Sequence, residues 1–178
     1  MALLLVILHT LILVAGLTLL GQGIVGVFNW SLESRQMPVR FADLMPALAV
    51  RPGAADAAFA VWDVWERKLL AVAKDSLPLP MRPASGRLLC IVPAAGDQPV
   101  LLSAGRHIAQ GLLELKKLQW DPGQTLMSGE VDLPARDPYE LRILVPEGDN
   151  SFEIEEVKAE DATVLVRRSG PVRLVTLA

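Results

Sequence analysis

The chain has 178 residues, a formal net charge of −3 and a single cysteine. Its length suffices for one sizeable hydrophobic core, or for a membrane anchor followed by one or two small domains. Because the sequence has no basic cluster, it lacks the electrostatic footprint of a nucleic-acid-binding protein. One cysteine excludes an intramolecular disulfide and a cysteine-based zinc site, and the apolar surroundings of Cys90 in LLCIVP predict a buried, unreactive thiol.

The first residues form a long apolar run, ALLLVILHTLILVAGLTLL, over residues 2–20. A helix of this length rises about 1.5 Å per residue and comes close to the ~30 Å hydrocarbon core of a bilayer. The run therefore predicts a single N-terminal transmembrane helix within residues 1–22, with the following domain outside the cytoplasm. A cleaved signal segment that directs secretion is the alternative, although no Lys or Arg precedes the run.

Beyond residue 23 the pattern changes to short apolar runs that are separated by turns. In AFAVWDVW, Phe59, Val61, Asp63 and Trp65 fall on one face, which is the period of a pleated strand. The prolines of LPLPMRP exclude a helix there. The predicted strands of this block are IVGVFNW, VRFADL, AFAVWDVW, ERKLLAVAKD, GRLLCIVP and PVLLSAG, with LMPALAVRPGAAD as an irregular connection.

A second block of strands follows from residue 106. LLELKKLQW is compatible with a helix or a strand, but the turn signal Asp121-Pro122-Gly123 and the alternating QTLMSGEVDL behind it favour a hairpin. The remaining predicted strands are YELRILVP, SFEIEEV, ATVLVRRS and PVRLVTLA.

Strands at roughly 8–12-residue spacing, with turn residues between them, are typical of antiparallel sandwiches and barrels. We therefore predict an all-β fold, an antiparallel β-sandwich that is either one large sandwich or two small packed ones, preceded by the N-terminal transmembrane helix. The predicted domains are the anchor or signal segment at 1–22, a β-sandwich at 23–105, and a second β block at 106–178, for which a separate small β domain is the alternative.

No constellation of catalytic or metal-binding residues stands out. His107 is the one histidine outside the N-terminal run, and a lone histidine without a nucleophile or further ligands makes neither a triad nor a zinc site. The sequence thus predicts a protein that is not an enzyme and that carries no cofactor or metal.

The candidate binding residues are Trp62, Trp65, Asp63 and Trp120. Aromatic faces stack on sugar rings and carboxylates bind hydroxyl groups, so an exposed tryptophan with polar neighbours predicts a carbohydrate site. The alternative is that the tryptophans fill a sandwich core, with Asp63 at a strand end. Burial decides between the two interpretations, because the first one fails if all three tryptophans are buried.

The order of several short motifs adds a resemblance to a known family. VFNWSLE, then AVWDVWERKLL, GRLLCIVP and QPVLLSAGRHIAQG, resemble the C-terminal β-sandwich region of α-galactosidase-like glycoside hydrolases, over roughly Ile24 to Gly148. The resemblance implies structural roles for the matching residues, which are Asn29, Trp30, Asp63, Trp65, Arg106, His107 and Gly111.

In those enzymes a TIM barrel precedes this region and supplies both catalytic carboxylates. Here a hydrophobic run stands in that place, so no catalytic residue carries over. The leading hypothesis is a non-catalytic, membrane-anchored accessory module that binds carbohydrate or a glycoside hydrolase. The alternatives are a fragment of a glycoside hydrolase that lacks its barrel, and a structural membrane protein without a ligand.

Overall fold

The computed structural model describes residues 3–7, 10–16, 23–48, 58–94, 96–105, 114–132, 137–146, 153–154, 156–160 and 162–178. These residues fold into two compact units, Met1–Ala94 and Ala95–Ala178. All strand pairs in both units are antiparallel, which confirms the predicted all-β class.

The first unit has two sheets and one short helix. The larger sheet has six strands in the order β1-β2-β3-β8-β5-β6, and the smaller one pairs β4 with β7. The elements are β1 (Leu3–Ile7), β2 (Thr10–Gly16), β3 (Gly23–Asn29), β4 (Arg35–Arg40), α1 (Phe41–Leu48), β5 (Ala58–Asp63), β6 (Lys68–Ala73), β7 (Ser76–Met81) and β8 (Ser85–Ala94).

The core of the first unit is built from alternate residues of both sheets, together with two residues of the helix. In the six-stranded sheet Val25 pairs with Leu89 and Val61 pairs with Ile91, so these side chains share one face. They form one apolar cluster with residues of the other elements, namely Val27, Phe59, Met37, Val39, Leu79, Met81, Phe41 and Leu44. Cys90 is buried on the opposite face of the sheet, as predicted.

The small sheet carries prolines at its exposed positions. Pro38 pairs with Pro78, and Pro80 follows two residues later on the same side of β7. Proline has no N–H, so a directly opposed pair of prolines fits only where the N–H groups would point away from the partner strand. The outer edges of this sheet therefore lack donors at these three positions, which hinders the addition of a further strand.

The N-terminal transmembrane helix was a wrong prediction for the residues that the structure describes there. Leu3–Ile7 and Thr10–Gly16 are strands, and β2 pairs with β3 from Thr10↔Asn29 to Gly16↔Gly23. A uniformly apolar run has no period, so its residues alone do not distinguish a helix from a buried strand. Among the described residues no helix combines the length and the apolar composition that crossing a bilayer requires.

The helix α1 also departs from the prediction, which placed a strand at VRFADL and an irregular connection behind it. The strand ends at Arg40, and a helix follows from Phe41 to Leu48. Phe41 and Leu44 are buried while Ala42 and Asp43 are exposed. This spacing of three is the helical signal, and it is too short to recognise in sequence.

The second unit also has two sheets. A four-stranded sheet has the order β13-β14-β12-β9, and β10 pairs with β11 in a hairpin. The strands are β9 (Val100–Ala104), β10 (Leu115–Asp121), β11 (Leu126–Val131), β12 (Tyr139–Leu144), β13 (Val164–Ser169) and β14 (Val172–Leu177).

The second unit contains most of the strands that the sequence predicts for it. The predicted hairpin at Asp121-Pro122-Gly123 is present, so LLELKKLQW contributes a strand and not a helix. SFEIEEV forms no strand at its described positions, 153–154 and 156–157. Val100–Ala104, which the sequence places in the first block, pairs here with Tyr139–Leu144 of the second.

Candidate functional site

Trp65 projects from a tight turn that a buried carboxylate organises. Asp63 ends β5, and its Oδ1 accepts hydrogen bonds from the backbone N–H groups of Trp65 at 3.1 Å and Glu66 at 2.9 Å. Its Oδ2 accepts one from Nη1 of Arg87 at 3.2 Å. The Asp63 side chain is fully buried, so these three donors take the place of water around its charge. The turn leaves Trp65 60% exposed.

Trp30 projects from a second turn, which a buried amide organises in a similar way. Asn29 ends β3, and its Oδ1 accepts from the Ser31 N–H at 3.1 Å and from the Ser31 hydroxyl at 2.8 Å. Its Nδ2 donates to the carbonyl oxygens of Glu33 and Arg82, both at 2.8 Å. Trp30 itself is 64% exposed.

Gly86 lies between the two turns and allows aromatic rings to approach it from both sides. It pairs with Phe28 across β3 and β8, and a Cβ atom here would lie 2.9 Å from Cδ1 of Phe28 and 3.7 Å from Cζ3 of Trp65. The Phe28 ring stacks on Trp30 with centroids 5.6 Å apart and planes 11° from parallel. We call Trp30, Phe28 and Trp65 the aromatic row.

A Gly86→Ala substitution is expected to displace the Phe28 ring, because the new methyl group would overlap it. Because the ring stacks on Trp30, its displacement disturbs that stack, and we expect a loss of about 1 kcal/mol of stability. Near-ultraviolet circular dichroism, which reports on the packing of aromatic rings, should change measurably.

Gly96→Ala is the matched control for this substitution, because no atom lies within 4 Å of a Cβ placed there. Its spectrum and stability should equal those of the wild type. A wild-type aromatic spectrum in Gly86→Ala would contradict the close approach of Phe28 to Gly86.

Polar groups surround the Trp65 end of the aromatic row. A shallow depression of about 110 Å³ lies beside Trp65, and Asp63, Glu66, Arg82 and Arg87 contribute to its lining. Asp63 is buried and engaged by its three donors, so it serves as a support for the turn. Glu66 and Arg82 are exposed, and their side chains offer an acceptor and a set of donors for hydroxyl groups.

The structure brings two of the four predicted binding residues together, Asp63 and Trp65. Trp62 is only 2% exposed on the face of the sheet that also buries Cys90, so it offers no surface to a sugar ring. Trp120 is half-buried on β10 of the second unit, where it pairs with Met127. Arg106, His107 and Gly111, which the family resemblance includes, lie outside the described residues.

Trp30, Phe28 and Gly86 also belong to this surface, although the sequence patterns do not single them out as binding residues. One signal was available: both Asn29 and Asp63 end a strand and are followed within two residues by a tryptophan. Asparagine and aspartate at strand ends bond to the backbone two residues on, which is how both turns form here. Each of the two segments therefore predicts a turn that carries a tryptophan.

No family model and no curated protein matches the chain. Solved structures match about half of it. α-Galactosidase I from Mortierella vinacea aligns with a TM-score of 0.45 and 18% identity, over 53% of this chain and 23% of that chain. A GH27 β-L-arabinopyranosidase from Geobacillus stearothermophilus aligns with a TM-score of 0.44 and 19% identity, over 53% of this chain and 20% of that one.

The chain resembles α-galactosidase-like glycoside hydrolases over part of its length. It spans only about a fifth of the length of those enzymes, between 20% and 23%.

Proposed function

We propose that the protein is a non-catalytic accessory β-module that binds carbohydrate on the aromatic row. The observation that supports this proposal most directly is the position of Trp65. Its side chain is exposed, its backbone N–H is bound by the buried Asp63 carboxylate, and it lies beside the exposed polar side chains of Glu66 and Arg82. A flat apolar ring with hydrogen-bonding groups at its edge matches the two kinds of surface that a sugar presents, its C–H face and its hydroxyls.

The rigidity of the turn also supports the proposal. A tryptophan loses little conformational entropy on binding because it has only two side-chain torsions. Here the backbone of the turn is fixed as well, by the two amide hydrogen bonds to Asp63. A preorganised platform keeps more of the stacking energy as affinity.

Trp65→Ala is expected to weaken carbohydrate binding at least about tenfold, because it removes the platform and leaves the core unchanged. The full chain would first be screened on an array of plant and microbial polysaccharides. The dissociation constant for a soluble oligosaccharide of the best binder would then be measured by titration calorimetry for the wild type and the variant.

Val72→Ala is the matched control, since Val72 is an exposed apolar residue of the same unit on β6 and is 49% exposed. Its affinity should equal that of the wild type. Equal affinity of Trp65→Ala and the wild type, or a wild type that binds nothing on the array, would refute the proposal.

One observation favours a second candidate, a fragment whose aromatic row packs against a catalytic domain. Leu32, two residues after Trp30, is 87% exposed, and an exposed leucine beside tryptophans is typical of a protein interface. Leu32→Ala separates the two candidates. It should leave carbohydrate affinity unchanged, whereas an interface with a protein domain should be weakened by it.

A further inference from the structure

The aromatic row is longer than a single stacking platform. In the sheet order β3-β8-β5, Phe28 and Trp30 belong to β3 and the turn after it, Gly86 lies on the central strand β8, and Trp65 follows β5. The two exposed tryptophans belong to separate turns, at the ends of β3 and β5. Phe28 is half-buried and stacks on Trp30, and its Cδ1 and the Cζ3 of Trp65 both lie within 4 Å of a Cβ placed on Gly86.

The depression next to Trp65 is too small to enclose a ligand. Its volume of about 110 Å³ is well below the roughly 300–1,000 Å³ of pockets that bury a small molecule. A single sugar bound here would keep most of its surface in water and would gain little affinity. Affinity on an open surface of this kind must come from contacts with successive rings.

The two ends of the row also differ in chemistry. The depression lies at the Trp65 end, since its lining includes Glu66, Arg82 and Arg87 but neither Trp30 nor Leu32. The Trp65 end can therefore hold part of a sugar and bond to its hydroxyls, and Trp30 adds a further stacking face.

We propose that the ligand is an oligosaccharide chain of at least two contiguous sugars, which lies along the aromatic row with one sugar on Trp65 and a later one on Trp30. This inference rests on the proposed function of the same surface. It specifies a chain and not a terminal monosaccharide, and it ranks the subsites: the Trp65 subsite is required for all binding, and the Trp30 subsite is used only by longer ligands.

The test compares monosaccharide, disaccharide, trisaccharide and tetrasaccharide of the best-binding polysaccharide, by titration of the full chain. Affinity should rise about tenfold or more between the shortest and the longest ligand, because a second stacking platform is added. Trp30→Ala should remove this rise. Trp30→Phe, which keeps a ring, should restore part of the rise.

Nuclear magnetic resonance of the tryptophan indole N–H groups gives an independent readout. The chain has four tryptophans, and single substitutions assign their signals. The short ligand should shift the Trp65 signal alone, and the tetrasaccharide should shift those of both Trp65 and Trp30. The Trp120 signal should not move with either ligand.

The possible outcomes separate the two proposals. If all ligand lengths bind equally and Trp30→Ala has no effect, the chain-binding inference is overturned while carbohydrate binding at Trp65 stands. If no ligand of any length shifts the Trp65 signal, the proposed function is refuted, and the inference is refuted with it.

Discussion

An Arg142→Met substitution is expected to destabilise the second unit by about 3 to 5 kcal/mol, since it leaves a buried carboxylate without its main partner. The Arg142 and Glu140 side chains are only 6% and 10% exposed. Nε and Nη2 of Arg142 lie 3.0 and 2.9 Å from Oε1 of Glu140. Its Nη1 donates to the Ser103 hydroxyl at 3.0 Å and to the Ala104 carbonyl at 2.7 Å. The substitution removes all of these contacts at once.

Hydrogen exchange of the β12 amides is the appropriate measurement, because it reports on the second unit without assuming that both units unfold together. A loss of about 3 kcal/mol corresponds to exchange that is faster by roughly a hundredfold. Arg167→Met is the matched control. Arg167 also contacts Glu140, at 3.4 Å, but it is 59% exposed, so its loss should cost less than about 1 kcal/mol.

A double variant tests the physical reason. Glu140→Leu combined with Arg142→Met replaces both charges with apolar side chains, and it should cost less than Arg142→Met alone. If the double variant is as unstable as the sum of the two single variants, the buried charge is not the cause of the destabilisation.

The contacts of Arg142 with Glu140, Ser103 and Ala104 show which features of a strand can be predicted from alternating residues and which cannot. YELRILVP was predicted as a strand with Leu141 and Ile143 on one face, and the strand is present. On the opposite face, Glu140 and Arg142 predict a surface that is exposed to water, because charged side chains are seldom buried. Its burial depends on Ser103 and Ala104 of β9, which are distant in sequence, so no local pattern could have predicted it.

The N-terminal apolar run is a second segment whose structure depends on residues outside it. Its residues are apolar at nearly every position, which suits a membrane helix and equally suits a strand that is buried on both faces. Whether the run forms a helix or a strand depends on the presence of a partner strand. Here seven residues of β3 pair with β2 in continuous register. Such a partner does not appear in any property of the run itself.

The candidate site was predictable in part for a related reason. Asp63 ends β5 and Trp65 lies two residues later, so their positions in the sequence already bring them close together. Trp30 joins them only because the register of β3 and β8 sets Phe28 opposite Gly86. A shift of one residue in that pairing would turn the Phe28 ring to the opposite face of the sheet and break the row.

Asp63→Ala is expected to destabilise the first unit by about 2 to 4 kcal/mol and to lower the affinity for carbohydrate. The substitution deprives the N–H groups of Trp65 and Glu66 of their acceptor, and it leaves Arg87 without its buried partner. The turn is then no longer fixed, and binding has to order Trp65 again at a cost in entropy. Urea unfolding followed by tryptophan fluorescence measures the first effect, and oligosaccharide titration of the folded variant measures the second.

Asp63→Asn separates the two roles of the carboxylate. An asparagine keeps an Oδ1 that accepts from the two turn amides, but it loses the charge that pairs with Arg87. We therefore expect this variant to lose part of the stability and to keep most of the carbohydrate affinity. If Asp63→Asn loses as much affinity as Asp63→Ala, the ion pair with Arg87 and not the turn positions Trp65. If Asp63→Ala binds as tightly as the wild type, Trp65 needs no buried carboxylate to hold it, and the preorganised platform on which the proposed function depends has to be abandoned.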